Sequence, residues 1–337
     1  VAGVVPWNFP LMMAVWKAAP ALAAGCSVII KPAEDTPLSA LKIAQIAKEA
    51  GIPDGVFNVV PGFGDVGEAL GRHNDVDAVS FTGSTEVGGL FMKYSGESNL
   101  KTIGLEMGGK SPFLVLEDAK INDALIDNAI NSAFWNGGQN CSANMRQIIH
   151  NKVKDEFLDK VLKRIKNIKV GDPLDTETNM GSMISKTHLA KVDSYIQKGI
   201  DEGASILHGG VSDASQKGFF AKPTLFDNVK ENMTIAQDEI FGPVLGVLTV
   251  NDTEEALKIA KNSKYGLHAS VFTQDINKAF HIAKNLPCGT VSINTFSEGD
   301  IKTPFGGYKQ SGSLSRDQGT EALNQYLQTK TIWISHS

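Results

Sequence analysis

Through residues 1–107 short apolar runs alternate with stretches whose apolar positions recur at helical spacing. The run Ser27-Val28-Ile29-Ile30 predicts a strand, Pro37 to Ala50 an amphipathic helix closed by Gly51, and Val56-Phe57-Asn58-Val59-Val60 the next strand. Ala78-Val79-Ser80-Phe81 predicts a third strand that runs through Thr82-Gly83-Ser84-Thr85-Glu86-Val87-Gly88 into another helix. Strand, helix and strand in succession predict β-α-β units and a doubly wound, parallel, Rossmann-like sheet.

After Ser111-Pro112 the pattern restarts with the strand Phe113-Leu114-Val115-Leu116 and helices over Ile121 to Asn136 and Lys152 to Ile168. Further strands are expected at Ala204 to Leu207, Val244 to Leu248 and Ser270 to Phe272, with a helix near Thr253 to Asn262. The expected organisation is α/β throughout: a nucleotide-binding domain over 1–107, a second α/β domain over 108–312, and a closing helix and β-prone strand over 313–337. The last run, Thr329-Lys330-Thr331-Ile332-Trp333-Ile334, reads as a strand that pairs with another element.

Composition narrows the picture. A chain of 337 residues that is 42% hydrophobic can bury a large core and has room for two domains. Its net charge of -5, with lysines spread along helices as at Lys160, Lys163, Lys166 and Lys169, argues against a nucleic-acid partner. The 3 cysteines, Cys26, Cys141 and Cys288, are too few and scattered for a disulfide framework or a zinc site, so no metal is expected and a cytoplasmic setting fits. Val1 to Ile30 is apolar, but Pro6, Asn8, Pro10, Lys17 and Pro20 interrupt it, so neither a signal peptide nor a membrane span is expected. With no initiator methionine, the chain reads as beginning inside a domain, as an N-terminally truncated protein would.

The candidate chemistry centres on Cys141, in Asn136-Gly137-Gly138-Gln139-Asn140-Cys141-Ser142, a segment too polar and glycine-rich for ordinary core. Small neighbours would let a substrate and backbone N–H groups approach a reactive thiolate. Glu106, in Leu105-Glu106-Met107-Gly108-Gly109-Lys110-Ser111-Pro112, is the candidate base for activating water. Lys31, after the first predicted strand, stands where parallel sheets bind ligands, and Glu34 could accept both hydroxyls of an adenosine ribose, favouring NAD over NADP. Gly83 and Ser84 could aim helix N–H groups at a pyrophosphate, although an ordinary helix cap would look the same.

Taken together, Pro6-Trp7-Asn8-Phe9-Pro10, Lys31-Pro32-Ala33-Glu34, Phe81-Thr82-Gly83-Ser84-Thr85, Glu106-Met107-Gly108-Gly109-Lys110-Ser111-Pro112, Gly138-Gln139-Asn140-Cys141, Glu239-Ile240-Phe241-Gly242-Pro243-Val244 and Pro304-Phe305-Gly306-Gly307-Tyr308-Lys309 resemble the NAD(P)-dependent aldehyde dehydrogenase superfamily. The closing Pro304 to Ile334 is most similar to its ω-aminoaldehyde branch, which includes the gamma-glutamyl-gamma-aminobutyraldehyde enzyme. The resemblance implies that 108–312 is the catalytic domain and that the chain oxidises a small-molecule aldehyde to the acid with NAD. It implies that Cys141 is the nucleophile, that Asn8 with the Cys141 N–H stabilises the oxyanion, and that Glu106 activates the hydrolytic water. Glu239, beside Phe241, matches the residue that holds the nicotinamide ribose, and Lys17 matches a position implicated in proton relay. The resemblance also implies a homo-oligomer, dimer or tetramer, whose oligomerisation strand lies at the C-terminus. The loop Ser313-Leu314-Ser315-Arg316 departs from the pattern by carrying no glycine, which leaves its conformation near Asp317 open.

The segment Asn294 to Asp300 matches the loop bordering the family's substrate entrance. Two readings stand for Glu298 and Asp300, attraction of a cationic ω-amine and plain solubility; Trp7, Trp135 and Phe296 likewise line an apolar tunnel or belong to the core. Among other functions, a cysteine hydrolase would need a histidine beside the thiol, and the histidines lie in ordinary helix, strand or loop contexts. A CoA-acylating dehydrogenase generally lacks the glutamate that Glu106 matches, and a silent binding homologue would not need Cys141, Asn8 and Glu106 together.

Overall fold

The computed structural model describes residues 1–213, 215 and 217–336. The chain forms two compact units, one of Val1–Glu106, Gly299–Gly306 and Ser313–Ser337, the other of Met107–Glu298 and Gly307–Gly312.

The first unit alternates β1 (Ala2–Val4), α1 (Pro10–Ala23), β2 (Val28–Lys31), α2 (Leu38–Glu49), β3 (Phe57–Val59), α3 (Gly64–Arg72), β4 (Ala78–Thr82), α4 (Thr85–Gly96) and β5 (Thr102–Glu106). Local chemistry sets the helix ends. Pro10, which lacks an N–H to lose, opens α1; Gly51 at φ +93° follows the end of α2; and the Ser84 hydroxyl caps α4 by accepting from the Val87 N–H. All pairings in the sheet are parallel, in the order β3-β2-β1-β4-β5. This is the doubly wound arrangement expected from sequence, and its order reverses between β1 and β4, where such sheets open a ligand crevice at their carboxyl ends. Val28 and Ile30 of β2 pack on Ala14, Ala18 and Ala21 of α1 to form the core beneath it.

Residues 313–337, expected as a separate closing element, cluster with the first unit. The cause is hydrogen bonding to the edge strand, mostly through serine side chains: the Leu105 N–H donates to the Ser313 and Ser315 hydroxyls, and the Ser313 N–H donates to the Leu105 carbonyl. The closing helix is short, α11 (Glu321–Asn324). The expected strand over Thr329 to Ile334 is not formed, because a strand needs a partner backbone and no described residue offers one; Ile332, Trp333 and Ile334 stand exposed.

The second unit contains β6 (Pro112–Val115), α5 (Asp123–Phe134), β7 (Arg146–His150), α6 (Asn151–Ile165), α7 (Lys186–Asp201), β8 (Ser205–His208), β9 (Thr224–Asp227), α8 (Thr234–Gln237), β10 (Val244–Val250), α9 (Thr253–Lys261), β11 (Tyr265–Gly266), β12 (His268–Phe272), α10 (Ile276–Asn285), β13 (Thr290–Ile293) and β14 (Tyr308–Lys309). Its main sheet has the order β13-β12-β6-β7-β10-β9-β8, parallel except for β8 against β9, while β11 and β14 form a small antiparallel pair. The central strands are buried on both faces, which is why β6 and β10 read as nearly unbroken apolar runs, while β7 buries the polar Arg146, Gln147 and His150 as well. Helix α5 stops at Phe134, short of the expected Asn136, because Asn136, Gly137 and Gly138 all take left-handed φ. Among the described residues no helix is long and apolar enough to cross a membrane.

Candidate active site

In the first unit, Trp7 and Asn8 lie on the segment that leaves the carboxyl end of β1, and Gly83 and Ser84 lie on the one that leaves β4. These flank the reversal of strand order, the place expected for a dinucleotide. A Cβ on Gly83 would lie 2.5 Å from the Phe81 ring, so only glycine fits this exit without moving that buried side chain. Ser84 does act as the helix cap, its hydroxyl accepting from the Val87 N–H. Lys31 ends β2 with its ammonium enclosed, donating to the Pro32 carbonyl and 3.7 Å from the exposed Glu34 carboxylate.

Glu106 ends β5, and its main-chain carbonyl accepts from the Gly83 N–H at 3.0 Å, tying the candidate base to the candidate phosphate turn. Its side chain is 4% exposed, and neither carboxyl oxygen has a hydrogen-bond partner. Burial holds its pKa well above the usual carboxylate range; the Asp317 charge adds to this, and Lys17 and Arg316 oppose it. Lys17 and Asp317 form a fully buried ion pair at 2.5 Å. This settles what the glycine-free loop does at Asp317: its carboxylate turns inward onto α1. Gly306 is also necessary there, since a Cβ on it would lie 2.6 Å from Glu106 Oε1.

In the second unit, Cys141 sits half-buried between α5 and β7. The left-handed run Asn136 to Gly138 turns the chain towards it, and Gly138 packs so closely that a Cβ would meet the Gly242 carbonyl at 2.6 Å. Gln139 braces the turn by donating to the Asn136 carbonyl and accepting from the Ile184 N–H. The glycines that follow Glu106 in its motif serve Glu239. The Gly109 N–H donates to Glu239 Oε1 at 2.9 Å, and a Cβ on Gly108 would lie 1.9 Å from Oε2. Dense packing pushes the Glu239 carboxyl up to about 7, against the Gly109 hydrogen bond and the charges of Lys191 and Lys110. Phe241 adopts φ +61°, and its carbonyl lies 2.6 Å from His188 Nε2. Trp135, at the end of α5, is half exposed rather than core.

Phe296 and Glu298 occupy the loop after β13. The Phe296 ring stands edge-on to His268, 5.3 Å between centroids. Glu298 does not stand free as a surface charge: its Oε1 accepts from Asn140 Nδ2 at 3.0 Å and from the Ser142 hydroxyl, the residues on either side of Cys141. Sequence reasoning missed three buried residues of this unit. Asn144 and His268 belong to a hydrogen-bonded network, and Lys110 Nζ is buried without a partner, its pKa brought down to about 7 chiefly by burial and by Arg146. A lysine directly after Gly108-Gly109 was the available signal for the last; nothing in the sequence pairs Asn144 with His268. Cys288 has its thiol pushed up to about 12 by burial, which makes it inert.

The aldehyde dehydrogenase family model matches residues 1–332. The aminoacetaldehyde dehydrogenase of Pseudomonas aeruginosa is 47% identical over 335 residues, covering 99% of this chain and 67% of that protein. Among solved structures, the NAD+ complex of an aldehyde dehydrogenase from Bacillus cereus superposes with a TM-score of 0.96 at 45% identity, covering 100% of this chain and 68% of its own. The gamma-glutamyl-gamma-aminobutyraldehyde dehydrogenase from Burkholderia cenocepacia gives a TM-score of 0.93 at 46% identity, covering 96% and 66%. The chain spans about two thirds of these relatives, and 37% of the 10-formyltetrahydrofolate dehydrogenase of Xenopus tropicalis, which is 44% identical over 336 residues.

Proposed function

The chain belongs to the aldehyde dehydrogenase family, and we propose that it oxidises an aldehyde to the carboxylic acid with NAD as hydride acceptor. In this reading the Cys141 thiolate adds to the carbonyl carbon, and the Asn8 amide and Cys141 N–H stabilise the resulting oxyanion. NAD, when bound, supplies the two-electron acceptor that takes the hydride and leaves a thioester on Cys141. Glu106 then takes a proton from water, whose oxygen attacks the thioester; the acid leaves and the thiolate is regenerated.

The observation that carries the proposal is the Glu106 carboxyl, buried at the end of β5 with no partner and a raised pKa. A buried structural carboxylate would be paired, whereas one left unpaired, with its pKa raised by burial, is more basic and is suited to accept a proton from water. It favours transfer of the acyl group to water over transfer to CoA. Residues suited to NAD are Lys31 and Glu34 for the adenosine ribose, Gly83 and Ser84 for the pyrophosphate, and Glu239 with Phe241 for the nicotinamide ribose. The room that Gly108 leaves for the Glu239 carboxylate supports that fit. A free ribose 2′-hydroxyl suits Glu34 better than a phosphate would.

For the substrate we favour an ω-aminoaldehyde, the class named in the aminoacetaldehyde and gamma-glutamyl-gamma-aminobutyraldehyde relatives. The exposed Asp300 on the entrance loop is suited to attract its cation. The exposed apolar tail Ile332 to Ile334 supports pairing with a second copy, and cysteines so few and scattered suit a cytoplasmic setting. The test is NADH formation by the purified protein with a panel of amino- and carboxy-aldehydes, alongside Cys141→Ala. Activity that requires NAD and disappears in the variant is expected. Acid formation without NAD, or an unimpaired variant, overturns the proposal.

A further inference from the structure

The nucleophile loop, residues 139–145, and the entrance loop, residues 294–298, are fastened together at two separate points within the second unit. The first is the Glu298 carboxylate, which accepts from Asn140 Nδ2 and the Ser142 hydroxyl and so straddles Cys141 in sequence. The second is deeper. Asn144 Nδ2 lies 3.3 Å from His268 Nδ1, and His268 Nε2 lies 2.9 Å from the Ser297 carbonyl. Asn144 and His268 are essentially inaccessible to solvent, at 0% and 1% exposure.

Donor and acceptor counting fixes how this second fastening works. The Ser297 carbonyl can only accept, so His268 must carry its proton on Nε2, which leaves Nδ1 as the acceptor for Asn144 Nδ2. The other Asn144 Nδ2 hydrogen goes to the Pro112 carbonyl, and Oδ1 accepts from the Ser270 hydroxyl. Ser270 in turn lies 3.1 Å from the Ser292 hydroxyl, itself 3.2 Å from His268 Nε2, which closes the circuit. The network is satisfied only with a neutral imidazole, and burial accordingly holds His268 down to about 4. A satisfied buried network of this kind admits one arrangement of its members. The edge-on Phe296 ring packs against the same imidazole.

We propose that His268, Asn144 and Glu298 are positioning residues that lock the entrance loop onto the nucleophile loop, so that the loop a substrate passes also sets the placement of Cys141. Glu298 then acts through Asn140 and Ser142 rather than as a free selector of cationic substrates. An ammonium group that draws on this carboxylate competes with those two donors, which links recognition of the distal amine to the set of the nucleophile. This inference rests on the reading of Cys141 as nucleophile and deepens it.

The test uses the whole chain and two readouts: the rate of Cys141 alkylation by iodoacetamide, followed on the Cys141 peptide by mass spectrometry, and kcat and KM for aldehyde oxidation. His268→Leu removes both hydrogen bonds, whereas His268→Gln can still accept from Asn144 and donate to Ser297. Expected are changes of about tenfold in alkylation rate and kcat for His268→Leu, within what a small misplacement of a nucleophile produces, with most of the loss restored in His268→Gln. Glu298→Gln, at a half-exposed site that tolerates the change in folding, should lower kcat more than it raises KM for aldehydes with and without an amine. A loss confined to KM for amino-aldehydes returns Glu298 to simple charge selection and overturns the proposal, as does an unchanged alkylation rate in folded His268→Leu and Glu298→Gln. If the wild-type chain forms no NADH, the proposed function fails, while the alkylation rates still decide the coupling.

Discussion

The main-chain N–H of Gly109 donates to Oε1 of Glu239 at 2.9 Å, while on its other side a Cβ would lie 2.4 Å from the Cys141 carbonyl. One glycine thus separates the candidate nicotinamide-ribose ligand from the backbone of the candidate nucleophile. The adjoining Gly108 is as confined, its Cβ position only 1.9 Å from Glu239 Oε2. Gly108→Ala is expected to displace the carboxylate and weaken NAD binding by about tenfold or more, as loss of a charge-assisted contact does. Titration of NAD into the protein, read by quenching of tryptophan fluorescence, gives the affinity; an unchanged value would detach Glu239 from the cofactor.

Glu106 lies enclosed with its carboxyl held above the range of an exposed glutamate. Glu106→Gln should leave a rapid first release of NADH and slow steady turnover by about 10²- to 10⁴-fold, the range for loss of a general base. Stability moves the other way. Because the folded-state pKa is raised above 4.5, the unfolded chain ionises first, and stability is lost as pH rises from there through the folded value. At pH 7 the glutamine variant should therefore melt at a higher temperature than the parent, and the gap should close as pH falls below the unfolded pKa. A scan of melting temperature against pH checks both signs.

The Lys17–Asp317 pair offers a test of charge beside that base. Asp317 raises the Glu106 pKa and Lys17 lowers it, so Asp317→Asn should shift the acid limb of the pH–rate profile to lower pH and Lys17→Met to higher. Each single change also leaves a buried partner uncompensated, which costs about 3–5 kcal/mol in denaturant unfolding, whereas Lys17→Met with Asp317→Leu should recover part of it. Limbs that moved in the same direction would disconnect the pair from Glu106.

Gly138 combines φ +70° with a Cβ position 2.6 Å from the Gly242 carbonyl, a main-chain atom that cannot simply turn aside. Gly138→Ala should lower stability by about 1–3 kcal/mol and slow Cys141 alkylation, because the left-handed turn that delivers the thiol is lost. Chemical denaturation and alkylation of the same preparation check the two effects together.

The strands β2, β3, β4, β6, β10 and β12 and several helices could be read from sequence, because such strands are largely apolar runs and the helices carry a one-sided stripe, whereas β1, β5 and the central β7, which opens Arg146-Gln147, could not. The polarity and glycines around Cys141 suggested a segment unsuited to core, yet Gln139, Asn140, Ser142 and Asn144 are buried, each supplied with hydrogen-bond partners. What could not be read was which side chain each small residue makes room for. Gly108 and Gly109 follow Glu106 in sequence, yet they accommodate Glu239, 130 positions beyond Gly109. Glu298 looked like a solvated loop acid because its partners Asn140 and Ser142 are brought to it only by the sheet. The tail Thr329 to Ile334 has strand propensity, but propensity alone supplies no hydrogen-bonding neighbour.

Lys17 and Asp317 stand 300 positions apart in sequence although they share one buried ion pair. During biosynthesis a ribosome adding about 5–20 residues each second makes Lys17 roughly 15–60 s before its counter-ion emerges. For that interval the nascent β-α-β layer lacks the counter-ion of an ammonium at a place destined to be dry, so closing it around α1 is costly. A stretch made 300 residues later therefore acts as the latch for an earlier one, and the chain made in between is a natural client for chaperones until that stretch arrives.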